Sequence, residues 1–217
     1  AAILAARRNK KTVGRDELTE AIDRVIAGPQ RKSRVISDRE RTMTAFHEAG
    51  HALVARMLPN ADPVRKVSIV ARGMMGGYTR VVPDEDRLFK TKAQFEDDLA
   101  VFMAGHVAEM MVFEEQSTGA ANDIERSTAV ARRMVTEFGM SDLGPLAFGK
   151  KDELVFLGRE ISEQRNYSDE VAYRIDQEIG RLVEQAPARN GRSIRRASGS
   201  VNERIAAGCA SGFCADG

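Results

Sequence analysis

The chain has 217 residues, and its 33 Lys and Arg against 32 Asp and Glu give a formal net charge of +1. This near balance argues against nucleic-acid binding as the main activity, because binding to phosphates usually requires a basic excess. The most apolar run, residues 100–113, contains His106 and Glu109 and is too short for a transmembrane helix. The two cysteines, Cys209 and Cys214, are too few for a disulfide framework and fit a reducing compartment.

The first 36 residues predict two short helices and a linker. Leu18, Ile22 and Ile26 recur at helical spacing and form an amphipathic stripe. Gly28 and Pro29 end this pattern, and basic residues dominate the linker at 29–36.

The middle of the chain predicts long helices around a small β element. Ser37 and Glu40 have capping-box spacing and predict a helix to Leu58, and Thr91 with Gln94 predicts another to Phe113. Strands are expected at 64–70 and 78–82, and further helices at 121–138 and from residue 168. The predicted fold class is therefore mainly α-helical with a small β-sheet.

The sequence His47-Glu48-Ala49-Gly50-His51 lies inside the first long predicted helix. Residues four apart share one helix face, so both imidazoles can reach one zinc ion. Glu48 can then take a proton from a zinc-bound water that attacks a peptide carbonyl. Gly50 has no side chain and would let another segment approach this helix closely. The pattern predicts a zinc hydrolase.

A catalytic zinc needs a third protein ligand, and spacing alone does not identify it. Val54 and Met57 stand where the extended metzincin pattern requires Gly and His, which excludes that class. His106 is near the apolar face of the helix predicted to end at Phe113, and it is expected to be packed there or to support a ligand rather than to bind the metal. Two carboxylates remain as alternatives: Glu109 in an apolar run, and Asp123 at the start of a predicted helix.

Several stretches together resemble FtsH, the membrane-anchored, ATP-dependent zinc metalloprotease family of bacteria and organelles. They occur in the family's order over about residues 1–186: Asn9–Ser37, Thr44–Ala55, Gly76–Pro83, Ser117–Ser127, Arg132–Gly139 and Val155–Glu160. The resemblance implies that Asp123, in Ser-Thr-Gly-Ala-Ala-Asn-Asp, is the third zinc ligand beside His47 and His51. It implies one zinc per chain and leaves Glu109 to orient a ligand His.

The resemblance also implies how substrate binds and what surrounds this domain. Unfolded or membrane-extracted proteins would add a strand at the edge formed by Gly77, Tyr78 and Thr79. The family forms homohexamers, is membrane-associated through N-terminal segments and faces the bacterial cytoplasm or an organelle interior. Residues 1–28 resemble the end of the AAA+ lid, 29–36 a linker and 37–186 the protease domain. No phosphate-binding loop occurs here, so ATP is expected only on a module outside this chain. The chain described by this sequence is itself expected to be soluble.

Two features leave alternatives open. Residues 187–217 diverge from the family, are rich in Gly, Ser, Ala and Arg, and are expected to be poorly ordered, as a frame-shifted or foreign tail would be. The domain could also be a non-catalytic ring that supports an AAA+ hexamer, or a zinc hydrolase of small peptides without ATPase coupling. No residue is identified as the oxyanion donor.

Overall fold

The computed structural model describes residues 1–30, 36–72, 76–149 and 166–187. These ranges contain α1 (Ala2–Arg7), α2 (Arg15–Ala27), α3 (Asp38–Met57), β1 (Val64–Ser68), β2 (Tyr78–Val81), α4 (Lys92–Phe113), a 3-10 turn (Thr118–Ala120), α5 (Ala121–Thr136) and α6 (169–187). The predicted fold class, mainly helical with a small sheet, is confirmed. Most of the predicted linker, the stretch 155–160 and the tail from residue 188 lie outside the described residues.

Both predicted capping boxes are present and fix where α3 and α4 begin. Ser37 Oγ accepts the Glu40 N–H at 3.2 Å, and the Glu40 carboxylate accepts the Ser37 N–H at 3.1 Å. Thr91 and Gln94 form the same reciprocal pair at 3.3 and 2.8 Å. Each box satisfies N–H groups that a helix start leaves without partners. His47, Glu48 and His51 therefore lie well inside a helix whose N-terminus is capped.

Helix α3 packs closely against α4 at Gly50. A Cβ atom placed there would lie 2.6 Å from the Ala104 carbonyl oxygen, closer than real Cβ contacts. The expectation that Gly50 admits a neighbouring segment is confirmed. Around this contact the two helices bury a small apolar core, made of Val54, Ala55, Ala100, Val101 and Ala104.

A second core joins α4, α5 and α6. Its members are almost fully buried: Leu99, Met103, Ala131, Met134, Val135, Ile175, Ile179, Leu182 and Ala186. Burying each of its Leu, Ile, Val and Met side chains contributes about 1.5–3 kcal/mol relative to leaving it exposed. Helix α5 is thereby fixed against α4, which sets the position of its first turn. None of the helices in the described ranges is both long and apolar enough to cross a bilayer.

The strands β1 and β2 form an antiparallel hairpin between α3 and α2. Lys66 lies opposite Arg80, and Val67 opposite Thr79. Since alternate residues of a strand face opposite sides, Thr79 reaches α3 while Arg80 reaches α2. The strands end at Ser68 and Val81, one or two residues earlier than predicted.

Helix α2 turns its acidic side, not its apolar stripe, toward the rest of the molecule. Leu18, Ile22 and Ile26 are 51, 47 and 57% exposed, whereas Glu17 and Asp23 are fully buried. Asp23 bonds Lys66 of β1 and Arg80 of β2, at 3.3 Å for Arg80. The contact between α2 and the hairpin is therefore held by charged groups.

Candidate metal centre

His47 and His51 point to the same place from successive turns of α3. Each is 8% exposed, and their Nε2 atoms lie 3.0 Å apart. This follows from the i, i+4 spacing, which stacks two side chains on one helix face. The predicted pairing of the two imidazoles is present in the structure.

Asp123 brings a carboxylate oxygen to the same place from the first turn of α5. Its Oδ2 atom lies 3.1 Å from His47 Nε2 and 3.2 Å from His51 Nε2. The three atoms thus form a nearly equilateral triangle, positioned as a possible metal site. Tetrahedral zinc with bonds of about 2.0–2.1 Å would space its ligand atoms about 3.3 Å apart. The observed triangle is close to that size.

The second nitrogen of each ring determines what the triangle can bind. His51 Nδ1 lies 2.7 Å from the Val101 carbonyl oxygen, which can only accept a hydrogen bond. His47 Nδ1 lies 2.7 Å from Glu109 Oε1. With the Nδ1 atoms donating, neutral rings direct Nε2 lone pairs toward an Asp123 oxygen that also carries lone pairs. When both rings are neutral, these three acceptor atoms repel one another unless a cation lies between them, so this donor set fits zinc.

Glu109 binds two segments at once. It is 1% exposed, and while Oε1 accepts from His47, Oε2 accepts the backbone N–H of Ser117 at 3.1 Å. Ser117 begins the 3-10 turn that leads into α5 and Asp123. Glu109 therefore orients one ring and also anchors the segment that carries the third converging side chain.

One stripe of α4 backs both imidazoles. Val101, Gly105 and Glu109 are spaced four residues apart, so they share a helix face. A Cβ atom at Gly105 would lie 2.5 Å from the His47 ring and 2.6 Å from His51 Nε2. Only glycine leaves room for the two rings at this point.

Glu48 lies beside the triangle, against β2. It is 5% exposed, and its Oε2 atom accepts a 2.7 Å hydrogen bond from the Thr79 hydroxyl. A Cβ atom at Gly77 would lie 3.0 Å from Glu48 Oε1. Two of the three residues predicted as a substrate edge, Gly77 and Thr79, therefore lie beside the candidate base.

Burial and hydrogen bonding shift the acids and bases of the site in opposite directions. Burial raises the pKa of Glu48 and outweighs the Thr79 hydrogen bond, which lowers it. Burial also opposes ionisation of Asp123, but its hydrogen bonds with His47 and His51 hold its pKa well below the usual range. Burial lowers the pKa of His47, yet hydrogen bonds with Asp123 and Glu109 raise it overall. An ionised Asp123 suits a metal ligand, and a carboxyl of raised pKa suits a general base.

Both carboxylates that spacing left open contact the His pair, but at different ring nitrogens. Asp123 lies on the Nε2 side with the converging atoms, and Glu109 lies on the Nδ1 side of His47. His106 is not part of the converging group. Sequence reasoning missed the Val101 carbonyl and Gly105 as parts of the site, and it placed Thr79 on the substrate edge without its hydrogen bond to Glu48. Of these, only Gly105 had a signal, since it lies four residues before Glu109.

Comparison with known proteins gives consistent results. The model of peptidase family M41 matches residues 34–207. The ATP-dependent zinc metalloprotease FtsH 1 of Sphaerobacter thermophilus is 81% identical over 187 residues, which cover 86% of this chain and 29% of that protein. The protein of the same name from Thermomicrobium roseum is 80% identical with the same coverage, and that from Thermoanaerobacter is 53% identical over 94% of this chain and 33% of that protein. The chain therefore spans a third or less of the length of these relatives.

Proposed function

This chain belongs to peptidase family M41, and we propose that it is the zinc-dependent endopeptidase part of a longer, ATP-dependent protease of the FtsH type. The observation that carries the proposal is the triangle of acceptor atoms at 3.0–3.2 Å beside Glu48. His47, His51 and Asp123 would hold one zinc ion per chain. Three protein ligands leave a fourth position open for water or substrate, as in catalytic zinc sites.

The residues around the ion would divide the chemistry between them. Bound zinc supplies Lewis-acid chemistry, because it polarises a peptide carbonyl and lowers the pKa of water. Glu48 would take a proton from the attacking water at its carboxylate and later return it to the leaving amine. Glu109 and the Val101 carbonyl would keep Nδ1 of each ring protonated, so that Nε2 remains a ligand.

The free edge of β2 is the proposed binding site for substrate. Within the described residues, β2 pairs only with β1, which leaves its second edge without a strand partner. An extended, unfolded chain could add there by backbone hydrogen bonds, with Gly77, Tyr78 and Thr79 beside the scissile bond. Such pairing uses main-chain groups and predicts broad specificity for unfolded or membrane-extracted proteins.

The wider organisation is also proposed from the family. Residues 1–28 would be the end of an AAA+ lid, 29–36 a linker, 37–186 the protease domain and 187–217 a divergent tail. The complete protein would be a membrane-associated homohexamer whose protease domains face the cytoplasm or an organelle interior. Its ATP-binding module would deliver unfolded protein to this domain, and nucleic acid would not be a partner.

The proposal is tested by Glu48→Gln in the zinc-loaded chain. This change keeps the shape of the side chain but removes the base, so zinc content should stay near one per chain while cleavage of an unfolded casein falls below detection. Undiminished cleavage by the variant would overturn the assignment of Glu48. The exposed Glu125→Gln on α5 is the matched control and should cleave like the unmodified chain.

The choice of substrate separates the alternatives. An endopeptidase of unfolded chains should degrade casein into fragments, whereas a small-peptide hydrolase should cleave only short peptides. A non-catalytic ring should cleave neither, even with zinc bound.

A further inference from the structure

The Thr79 hydroxyl is the one side-chain group of the described residues that hydrogen-bonds the Glu48 side chain. Thr79 Oγ1 lies 2.7 Å from Glu48 Oε2 and 3.1 Å from the backbone oxygen of Glu48. A hydroxyl has a single proton, and both of these atoms accept. Thr79 therefore contacts the same α3 residue at its backbone and at the end of its side chain.

Strand geometry explains why a side chain of β2 reaches α3 here. Alternate residues face opposite sides of a strand, so Thr79 faces α3 while its neighbour Arg80 faces α2. Arg80 and Lys66 are bonded to the buried Asp23 on that opposite side. The strand that carries Thr79 is thus held from both faces.

Gly77 lies beside Oε1, the other oxygen of the Glu48 carboxylate. A Cβ atom at Gly77 would lie 2.8 Å from Thr44 Cγ2 and 3.0 Å from Glu48 Oε1. Within the described residues, no hydrogen-bond donor contacts Oε1. One oxygen is therefore held by Thr79, and the other is left free to exchange a proton.

We propose that Thr79 is a positioning residue for Glu48, which holds Oε2 so that Oε1 takes and returns the proton. The inference rests on the proposed function, because it gives Glu48 the role of general base. A glutamate has three side-chain torsions, and a free one would sample several rotamers beside the metal site. A small misplacement of a catalytic group can lower the rate about 100-fold.

The test compares Thr79→Val with Thr79→Ser in the zinc-loaded chain, on a short fluorogenic peptide. Valine keeps the shape and removes the donor, so kcat should fall about 10- to 100-fold with KM within about twofold. Serine keeps the hydroxyl and should restore most of kcat. Zinc per chain should be equal in all forms. Thr42→Val is the matched control, since among the described residues its exposed hydroxyl bonds only the Asp38 carbonyl.

A readout without catalysis keeps the proposal testable on its own. The crystal structure of the metal-free, unmodified chain should show Glu48 in a single rotamer. The crystal structure of metal-free Thr79→Val should show Glu48 displaced or in several rotamers. An unchanged Glu48 in Thr79→Val, or an unchanged kcat, would overturn the proposal. So would a loss of zinc that accounts for all the lost activity.

The two proposals fail in different ways. If the zinc-loaded, unmodified chain cleaves neither casein nor peptide, the proposed function fails. The rotamer of Glu48 in the two crystal structures then still decides whether Thr79 holds it.

Discussion

Two regions of this molecule each hold three carboxylates, with opposite charge balance. On α2, Glu17 bonds Arg8 and Lys10, Glu20 bonds Arg24 and Arg72, and Asp23 bonds Lys66 and Arg80. At the candidate metal centre, Glu48, Glu109 and Asp123 have no Lys or Arg partner among the described residues. The ion-pair partners of Glu109 and Asp123 there are imidazoles.

The difference shows in which region the negative charge of the carboxylates is balanced without an added ion. Ionised carboxylates are rarely buried unless they are paired or coordinate a metal. The α2 interface obtains its cations from the chain itself. The metal centre leaves a position where a cation from outside can balance the charge.

Removing the carboxylate that converges with the two imidazoles should have the largest effect of the changes proposed, on both zinc binding and cleavage. Asp123→Asn should reduce zinc from about one per chain to near zero and abolish cleavage, because an uncharged amide is a poor zinc ligand. Glu109→Gln should weaken zinc binding about 10- to 100-fold, as loss of a ring-orienting group does. Metal analysis and zinc titration measure both. The reverse order would make Glu109 the ligand.

Filling the space behind the rings should break the site without removing a ligand. Gly105→Ala places a Cβ 2.5 Å from the His47 ring, so the rings must move. We expect a loss of zinc affinity of about 100-fold or more, comparable to loss of a supporting group. Zinc titration with circular dichroism as a folding control checks this. Gly180→Ala is the matched substitution. Apart from its chain neighbours and its own helix backbone, no described residue lies within 4 Å of the added Cβ, so zinc affinity should stay unchanged.

Removing an α2 carboxylate should destabilise the fold but leave the ion bound. Asp23→Asn leaves two cations without their buried partner and should cost about 1–3 kcal/mol in the free energy of unfolding. Urea unfolding gives the stability, and metal analysis should still find one zinc per chain. The exposed Asp16→Asn on the same helix is the control, with an effect below about 0.5 kcal/mol. Equal effects of the two variants would contradict the importance of the buried pair.

Acid should weaken the contacts of α2 gradually, and this is the smallest of the expected effects. Hydrogen bonds from Lys10 and Arg8 lower the pKa of Glu17 to about 2, and those from Arg72 and Arg24 lower that of Glu20 to about 2. Since these folded-state pKa values lie below the ordinary one, the stabilisation is complete above about pH 5 and is lost as the pH falls toward 2. Amide hydrogen exchange of α2 across this range measures the loss. In Glu20→Gln the acid dependence should be smaller.

The sequence was informative wherever local rules decide the structure. The capping boxes at Ser37 and Thr91 gave the starts of α3 and α4, and the i, i+4 rule gave the pairing of His47 with His51. These depend on residues within one or two turns, so no tertiary knowledge is needed.

The sequence was less informative where residues distant in the chain meet. Glu109 and Asp123 are 62 and 76 residues from His47, and only the packing of α4 and α5 places them at opposite ring nitrogens. On α2, the apolar period was correctly identified, but it did not reveal that the acidic side packs on the hairpin. That choice depends on Lys66, Arg72 and Arg80, which follow some 40 to 60 residues later.

The stripe of α4 behind the imidazoles also bears on ion size. Val101, Gly105 and Glu109 hold both rings from one rigid helix, and the ligand atoms stay 3.0–3.2 Å apart. A calcium ion, with bonds of 2.3–2.6 Å, would need such atoms about 4 Å apart in the same geometry. Because Gly105 leaves no space behind the rings for an added side chain, the triangle as it stands is closer in size to a zinc site than to a calcium site.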